Sequence, residues 1–287
     1  MKKTDNRYAS LLDKFKEEYA REHQTRLKNV LVVLCAILVK ETVNLNKLKN
    51  QVGVILGTTG RQTDSHYKRL TRFFNEDFHQ FSLWKVLLQV VVKLLVKQLD
   101  QRGGGKYLLL DATSWELGSV RIQLLVLSIL YQGVSIPIFW VNLSKKGHSN
   151  FDERKRFLQM ATCLHSLKGM TLIADREYIG REWFTWLVEE MGLDWVIRVP
   201  IRDYKHEISQ GKKSYSALIK KARAGKLVAQ AVEIAGKPYQ FVAFRNAQAT
   251  TKEEELVLLL TSLKGPKKRI ALIYGLRWQI ECMLALG

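Results

Sequence analysis

This chain of 287 residues is short of cysteine, of acidic residues and of long apolar runs. Its three cysteines, Cys35, Cys163 and Cys282, are too few and too scattered for a disulfide framework or a zinc cluster. Each lies in an apolar helical context, which predicts core thiols in a reducing compartment. The longest uninterrupted apolar run, Val30–Val39, is 10 residues, too short to span a bilayer and too far from the N-terminus for a signal peptide. The expectation is a cytoplasmic protein. Acids number only 27 against 46 Lys and Arg, a formal charge of +19. No separate basic tail accounts for the excess, since residues 1–105 hold 19 Lys and Arg against 10 acids and the remainder holds 27 against 17. A small neutral substrate does not explain such a charge; a polyanionic partner does, nucleic acid first.

What the chain does have is apolar content of 47%, enough for the core of one large domain or two modest ones. Residues 7–40 show helical periodicity and pass into Val30–Val39, which reads as a buried bundle helix. A short helix follows at Leu45, and Thr63 or Asp64 caps another whose Tyr67, Leu70 and Phe74 share one face. On the other face stand Lys68, Arg69 and Arg72, a helix–turn–helix arrangement suited to phosphates, with His66 or Arg69 reaching base edges. A solvated basic face is the plain alternative. Phe81–Leu99 reads as a long apolar helix packing this bundle.

Gly103, Gly104 and Gly105 form the best linker, and the domain boundary is expected there: residues 1–102 a helical DNA-binding domain, 103–287 the rest. Beyond it, strands are predicted at Tyr107–Leu110, Ile122–Leu130 and Ser135–Trp140, as an antiparallel meander. A helix follows at about Asn150 to Leu164, with residues 152–156 on its wet side and Phe157, Met160, Ala161 and Leu164 on its dry side. Then come a strand ending at Asp175, a helix over Arg181–Met191 and a strand over Trp195–Val199. This order makes a mixed sheet covered by helices, with the fourth strand beside the first. Residues 200–237 carry nine Lys and Arg against three acids, and about 200–263 reads as an inserted β-rich subdomain. A final helix starts at Pro266.

Three carboxylates stand out. Asp111 and Asp175 each end a short apolar run, and Glu281 shares a helical stripe with Tyr274 and Arg277 at spacings of three and four. Gathered by the fold, the three acids form a donor set for two divalent metals. For Arg176 and Glu177 the expectation is surface or supporting ion pairs; for His148, a solvated loop position.

Leu110-Asp111-Ala112-Thr113, Ala174-Asp175-Arg176-Glu177-Tyr178 and the Tyr274, Arg277, Glu281 stripe resemble the bacterial insertion-sequence transposases of the DDE class, in the branch with a Tyr-Arg-Glu-Lys signature. The resemblance covers essentially the whole chain. It implies a ribonuclease-H-like α/β core, with a mixed sheet flanked by helices, that cuts DNA at transposon ends and joins the released 3′-OH to target DNA. It further implies that Asp111, Asp175 and Glu281 hold two Mg2+ ions, for which Mn2+ substitutes, and that Tyr274 and Arg277 contact DNA phosphate. Trp278 is expected in the core, or stacked on an unpaired base if ends pass through a hairpin. The implied partners are double-stranded inverted repeats and target DNA at the bacterial nucleoid, with a homodimer when full length. The signature's lysine falls at position 288, one past Gly287, so the reading is of a chain truncated in its catalytic helix. The alternative is a catalytically impaired remnant that binds transposon ends or inhibits a full-length protomer.

Overall fold

The computed structural model describes residues 24–58, 63–77, 83–103, 105–117, 120–143, 145, 147–247, 249, 251 and 255–284. The part of the predicted 7–40 helix before residue 24 lies outside these. The chain divides into two compact units, Met1–Leu87 and Leu88–Gly287.

The first unit contains α1 (Gln24–Lys40), α2 (Leu45–Ile55) and α3 (Thr63–Arg72). Asn44 starts α2 by accepting from the backbone N–H groups of Asn46 and Lys47 through its side chain. Val30, Val33, Ala36, Leu48, Val52 and Leu70 make the shared core. The apolar run of α1 is buried from Val30 to Ala36 except at Leu34, whereas Leu38 and Val39 are exposed. Among the described residues no single helix is long and apolar enough to cross a membrane.

The second unit is built on one eight-stranded sheet. After α4 (Leu83–Arg102) come β1 (Tyr107–Leu117), β2 (Val120–Tyr131), β3 (Val134–Asn142), α5 (Phe151–Thr162), β4 (Thr171–Ala174), α6 (Arg181–Glu189) and β5 (Asp194–Arg198). Then follow α7 (Lys205–Ser209), α8 (Tyr215–Arg223), β6 (Val228–Ile234), β7 (Lys237–Arg245), β8 (Leu256–Thr261), α9 (Lys267–Gly275) and α10 (Trp278–Leu284). The strand order is β3-β2-β1-β4-β5-β8-β7-β6. Strands β1 to β3 form the expected antiparallel meander, and β4 and β5 add parallel to β1. This is the ribonuclease-H-like mixed sheet flanked by helices.

Residues 200–263 differ from the expectation of a separate insertion. Their strands continue the same sheet, because β8 pairs antiparallel with β5, and their first third is helical. All six residues of β8 are buried, so this strand has core on both faces.

Alternation along the central strands sorts the two faces. Leu109, Ile173 and Val196 pack with Ile270, Ile273, Tyr274 and Ile280 of α9 and α10. On α6, Phe184 stacks on Trp195 with ring centroids 4.3 Å apart, and Trp183 stacks on Trp186 at 5.4 Å. In α5, Asn150 and Glu153 form a reciprocal capping box. Its dry stripe is Arg154, Phe157, Leu158 and Ala161, whereas Met160 is exposed. Arg154 thus moves from the predicted wet side to the buried one, three and four residues from Phe157 and Leu158.

Candidate active site

Period-2 geometry decides where the two aspartates point. Asp111 lies two residues beyond Leu109, and Asp175 two beyond Ile173, so both face the side covered by α9 and α10. The parallel register pairs Leu110 with Ala174, which sets the two carboxylates level on neighbouring chains. Asp175 follows the last residue of β4 as expected. Asp111 does not end its strand: β1 runs on to Leu117 as an antiparallel ribbon with β2, and Asp111 pairs with Val126. It is β4 that stops, leaving Asp111 with a strand partner on one side only.

From the opposite side come Tyr274, Arg277 and Glu281. One continuous helix was expected, but two are found. At the junction Leu276, Arg277, Gln279 and Ile280 donate to carbonyls three residues back, a tightened turn just after Gly275. Ile280 is fully buried and anchors the second helix.

Arg277 is where the acids meet. Its Nη1 lies 3.7 Å from Asp111 Oδ2, its Nη2 lies 4.0 Å from Asp175 Oδ2, and Nη2 also donates to Glu281 Oε1. The Tyr274 hydroxyl donates to Asp175 Oδ1 at 3.2 Å. Arg198, at the end of β5, adds a second positive charge 3.9 Å from Asp175 Oδ1. Among the described residues, no three acidic, His or Cys side chains are arranged to share one metal ion. The three carboxylates face the guanidinium.

Burial shapes the charges. The Asp111 carboxyl is pushed up to about 6, chiefly by burial and further by Glu177 and Asp175, while the Ala112 N–H at 2.9 Å and Arg277 pull the other way. Burial opposes the Arg277 charge, yet Tyr274, Asp175, Glu281 and Asp111 overcome it and hold the guanidinium above its ordinary range. Burial, then Asp175, raises the Tyr274 phenol, so its proton stays available for donation.

The remaining predicted residues fall elsewhere. Trp278 is 64% exposed, not in the core, because the tightened turn places it away from the stripe of Ile280. Lys68, Arg69 and Arg72 are exposed on α3 as expected. His66 is buried instead of facing outward: it packs against Gly53, whose missing side chain makes room, with its Nε2 3.4 Å from Thr58 Oγ1. Cys35 is a buried thiol, but Cys163 and Cys282 are exposed.

Three residues that the sequence pattern underrated lie close to the centre. Arg198 is flagged by register alone, since Ala174 pairs with Ile197 and puts Arg198 level with Asp175. Arg154 donates to the carbonyls of Glu177 and Ile179, pinning the segment after Asp175. Glu177 pairs with His148 and is 20% exposed in its side chain. Beside Asp175 opens a cleft of about 430 Å³ whose lining includes Arg176, Arg198 and Arg202.

The family model of the transposase DDE domain matches residues 98–285, from within α4 to just past α10. Among solved structures the chain is similar to the piggyBac transposase synaptic complex with hairpin DNA, at 12% identity and a TM-score of 0.47. That similarity covers 92% of this chain and 59% of the other, so the chain spans about three fifths of its length. No curated protein matches the sequence. The domain match takes in well over half of the chain and holds Asp111, Asp175, Tyr274, Arg277 and Glu281 together: the chain belongs to the DDE transposase family.

Proposed function

We propose that this protein is a DNA transposase that cuts DNA at transposon ends and transfers the freed strand to target DNA by cut-and-paste transposition. The observation that carries this reading is the convergence of Asp111, Asp175 and Glu281 on Arg277, from two strands and a helix far apart in sequence. The Tyr274, Arg277 and Glu281 stripe supports the Tyr-Arg-Glu-Lys branch of insertion-sequence transposases, and with it a bacterial, nucleoid-associated setting.

The donor set fits Mg2+ or Mn2+, since all three groups are hard carboxylate oxygens and the buried Asp111 carboxylate calls for a nearby cation. Asp111, Asp175 and Glu281 would hold two such ions. When bound, they supply activation of the attacking oxygen and stabilisation of the leaving one.

The protein's own groups position the DNA. The Arg277 guanidinium is a fork suited to one phosphate, and its transfer from the carboxylates to DNA exchanges one set of anionic partners for another. Tyr274 orients Asp175 through its hydroxyl. Arg176, Arg198 and Arg202 present a basic wall for the backbone leading into the centre. Exposed Trp278 is available to stack on an unpaired base, and Lys68, Arg69 and Arg72 to contact duplex phosphates from a helical DNA-binding domain. Two protomers pairing the two transposon ends complete the proposal.

The test is Mg2+-dependent cleavage of DNA carrying the flanking inverted repeats, by this chain and by Asp111→Asn and Glu281→Gln. Nicking by the wild type that both variants lose by about 10³-fold supports the reading. Equal nicking by all three overturns it.

A further inference from the structure

Helix α8 buries Tyr215, Leu218, Ile219 and Ala222 and turns Ser216, Lys220, Lys221 and Arg223 to solvent. Lys212 and Lys213 are exposed in the loop that leads into it, and Lys226 in the turn that leaves it. From Ile208 to Val232 the chain has six Lys and Arg and no acid. Among the described residues, none of these five lysines is in an ion pair. A solvated surface ordinarily mixes both signs. The helix dipole accounts for cations at the end of α8, around Arg223, but it opposes Lys212 and Lys213 at the start.

The loop before α8 is fixed in place. The Gln230 side chain, from β6, accepts from the Lys213 N–H at 2.8 Å and donates to the carbonyls of Ile208 at 2.7 Å and Lys213 at 3.0 Å. Gly211 permits this approach, since a Cβ there would strike the Gln230 amide. Ser214 caps the helix by accepting from the Ala217 N–H at 3.4 Å. The Tyr215 hydroxyl donates to the Ile201 carbonyl, and Ile201 and Arg202 line the cleft beside Asp175. The basic face is thus tied to the rim of that cleft.

We propose that Lys212, Lys213, Lys220, Lys221 and Arg223 form a track for the backbone of duplex DNA, which continues the basic cleft and holds the duplex flanking the cleavage point. The inference rests on the DNA-cutting reading above and adds a surface to it. Charge complementarity selects the partner: an acid-free basic face on a chain of +19 fits a polyanion. From Lys213 to Arg223 the helix and its cap extend about 15 Å, which faces about four phosphates of one strand. That is comparable to the number of basic side chains on the face. Lysine is a flexible point charge with no fixed geometry for a base edge, so the track reads phosphates and not sequence. With its loop already ordered by Gln230, the surface loses little conformational freedom when DNA arrives.

The test is DNA binding by the full chain over a series of NaCl concentrations, read by electrophoretic mobility shift, with a duplex carrying the inverted repeats and one of unrelated sequence as probes. The wild type is compared with a variant carrying Lys220→Gln, Lys221→Gln and Arg223→Gln. A second variant, with Arg156→Gln, Lys168→Gln and Lys237→Gln, loses the same charge from exposed positions elsewhere. The slope of log affinity against log salt should fall by about two to three units in the α8 variant on both probes, and change little in the other. Should the α8 variant fail to fold, Lys212→Gln with Lys213→Gln gives the same test, with a fall of up to about two units. An equal change in the two triple variants shows an effect of net charge alone and overturns the inference, as does a wild-type slope in the α8 variant. If the wild type itself binds neither duplex, the DNA reading has failed and this inference falls with it; if it binds and only the α8 changes are silent, this inference alone is wrong.

Discussion

The Tyr274 hydroxyl and Asp175 Oδ1 stand 3.2 Å apart, joining a residue of the penultimate helix to one 99 positions earlier. Tyr274→Phe keeps the ring against Ile273 and its neighbours and removes only the donor. A hydrogen bond to a charged group contributes about 1.5–3 kcal/mol, so the urea midpoint should fall by up to that loss of stability, and cleavage, which also loses the orientation of Asp175, should fall about tenfold to a hundredfold under conditions where the variant is fully folded. Cleavage kinetics beside urea denaturation of the same preparations check this.

Asp111 makes metal-free stability depend on pH in a definite direction. Burial lifts its pKa from 3.8 to about 6, so between those values the folded state binds more proton than the unfolded one. Stability therefore falls as pH rises through that window, by at most about 3 kcal/mol, and levels off above it. Asp111→Asn should flatten this slope and be the more stable protein above pH 6. Urea titrations in chelator from pH 4 to 8 measure it.

Removing Arg277 leaves three facing carboxylates without their shared cation. Arg277→Gln should destabilise the metal-free protein by about 3 kcal/mol. Mg2+ should restore more stability to the variant than it adds to the wild type, because the ion then replaces a missing charge. Thermal melts with and without Mg2+ compare the two shifts; an equal shift counts against a shared cation site.

How much of this was legible in the sequence differs by element. Asp175 was found because its strand is short and ends in a turn, and the 3.6-residue repeat put Tyr274, Arg277 and Glu281 on one stripe. The continuation of β1 past Asp111 carries little signal, since Thr113, Ser114 and Glu116 are polar around Trp115, and a ribbon paired on one side needs no apolar alternation. Arg154 was misplaced because a charged residue in a charged run looks solvated, and only partners distant in sequence, the carbonyls of Glu177 and Ile179, reveal otherwise. His66 failed for the same reason: its niche is made by Gly53 on another helix.

Arg154→Lys tests the pin directly. One ammonium does not reach both carbonyls as the guanidinium does, and backbone amides near Glu177 and Ile179 should exchange hydrogen at least tenfold faster while those of β5 stay protected. Native-state exchange read by mass spectrometry resolves the two segments. Uniform acceleration would instead mean general destabilisation.

On the DNA side, exposed Lys68, Arg69 and Arg72 should act through phosphates. Changing all three to Gln should reduce the slope of log affinity against log salt by up to about three units. Fluorescence anisotropy at several salt concentrations gives the slope. No change would make α3 a solvated face and nothing more.

The sheet's order also sets when this centre comes into being. Asp111 and Asp175 are brought level by β1 and β4, but the face they look onto is closed by α9 and α10, which follow β8 in the chain. A polypeptide leaving the ribosome can pair its central strands and still lack Arg277 and Glu281 until almost the whole domain has been made. The acidic pair thus exists during synthesis before the guanidinium and the third carboxylate that face it, and the assembled constellation is a late product of translation.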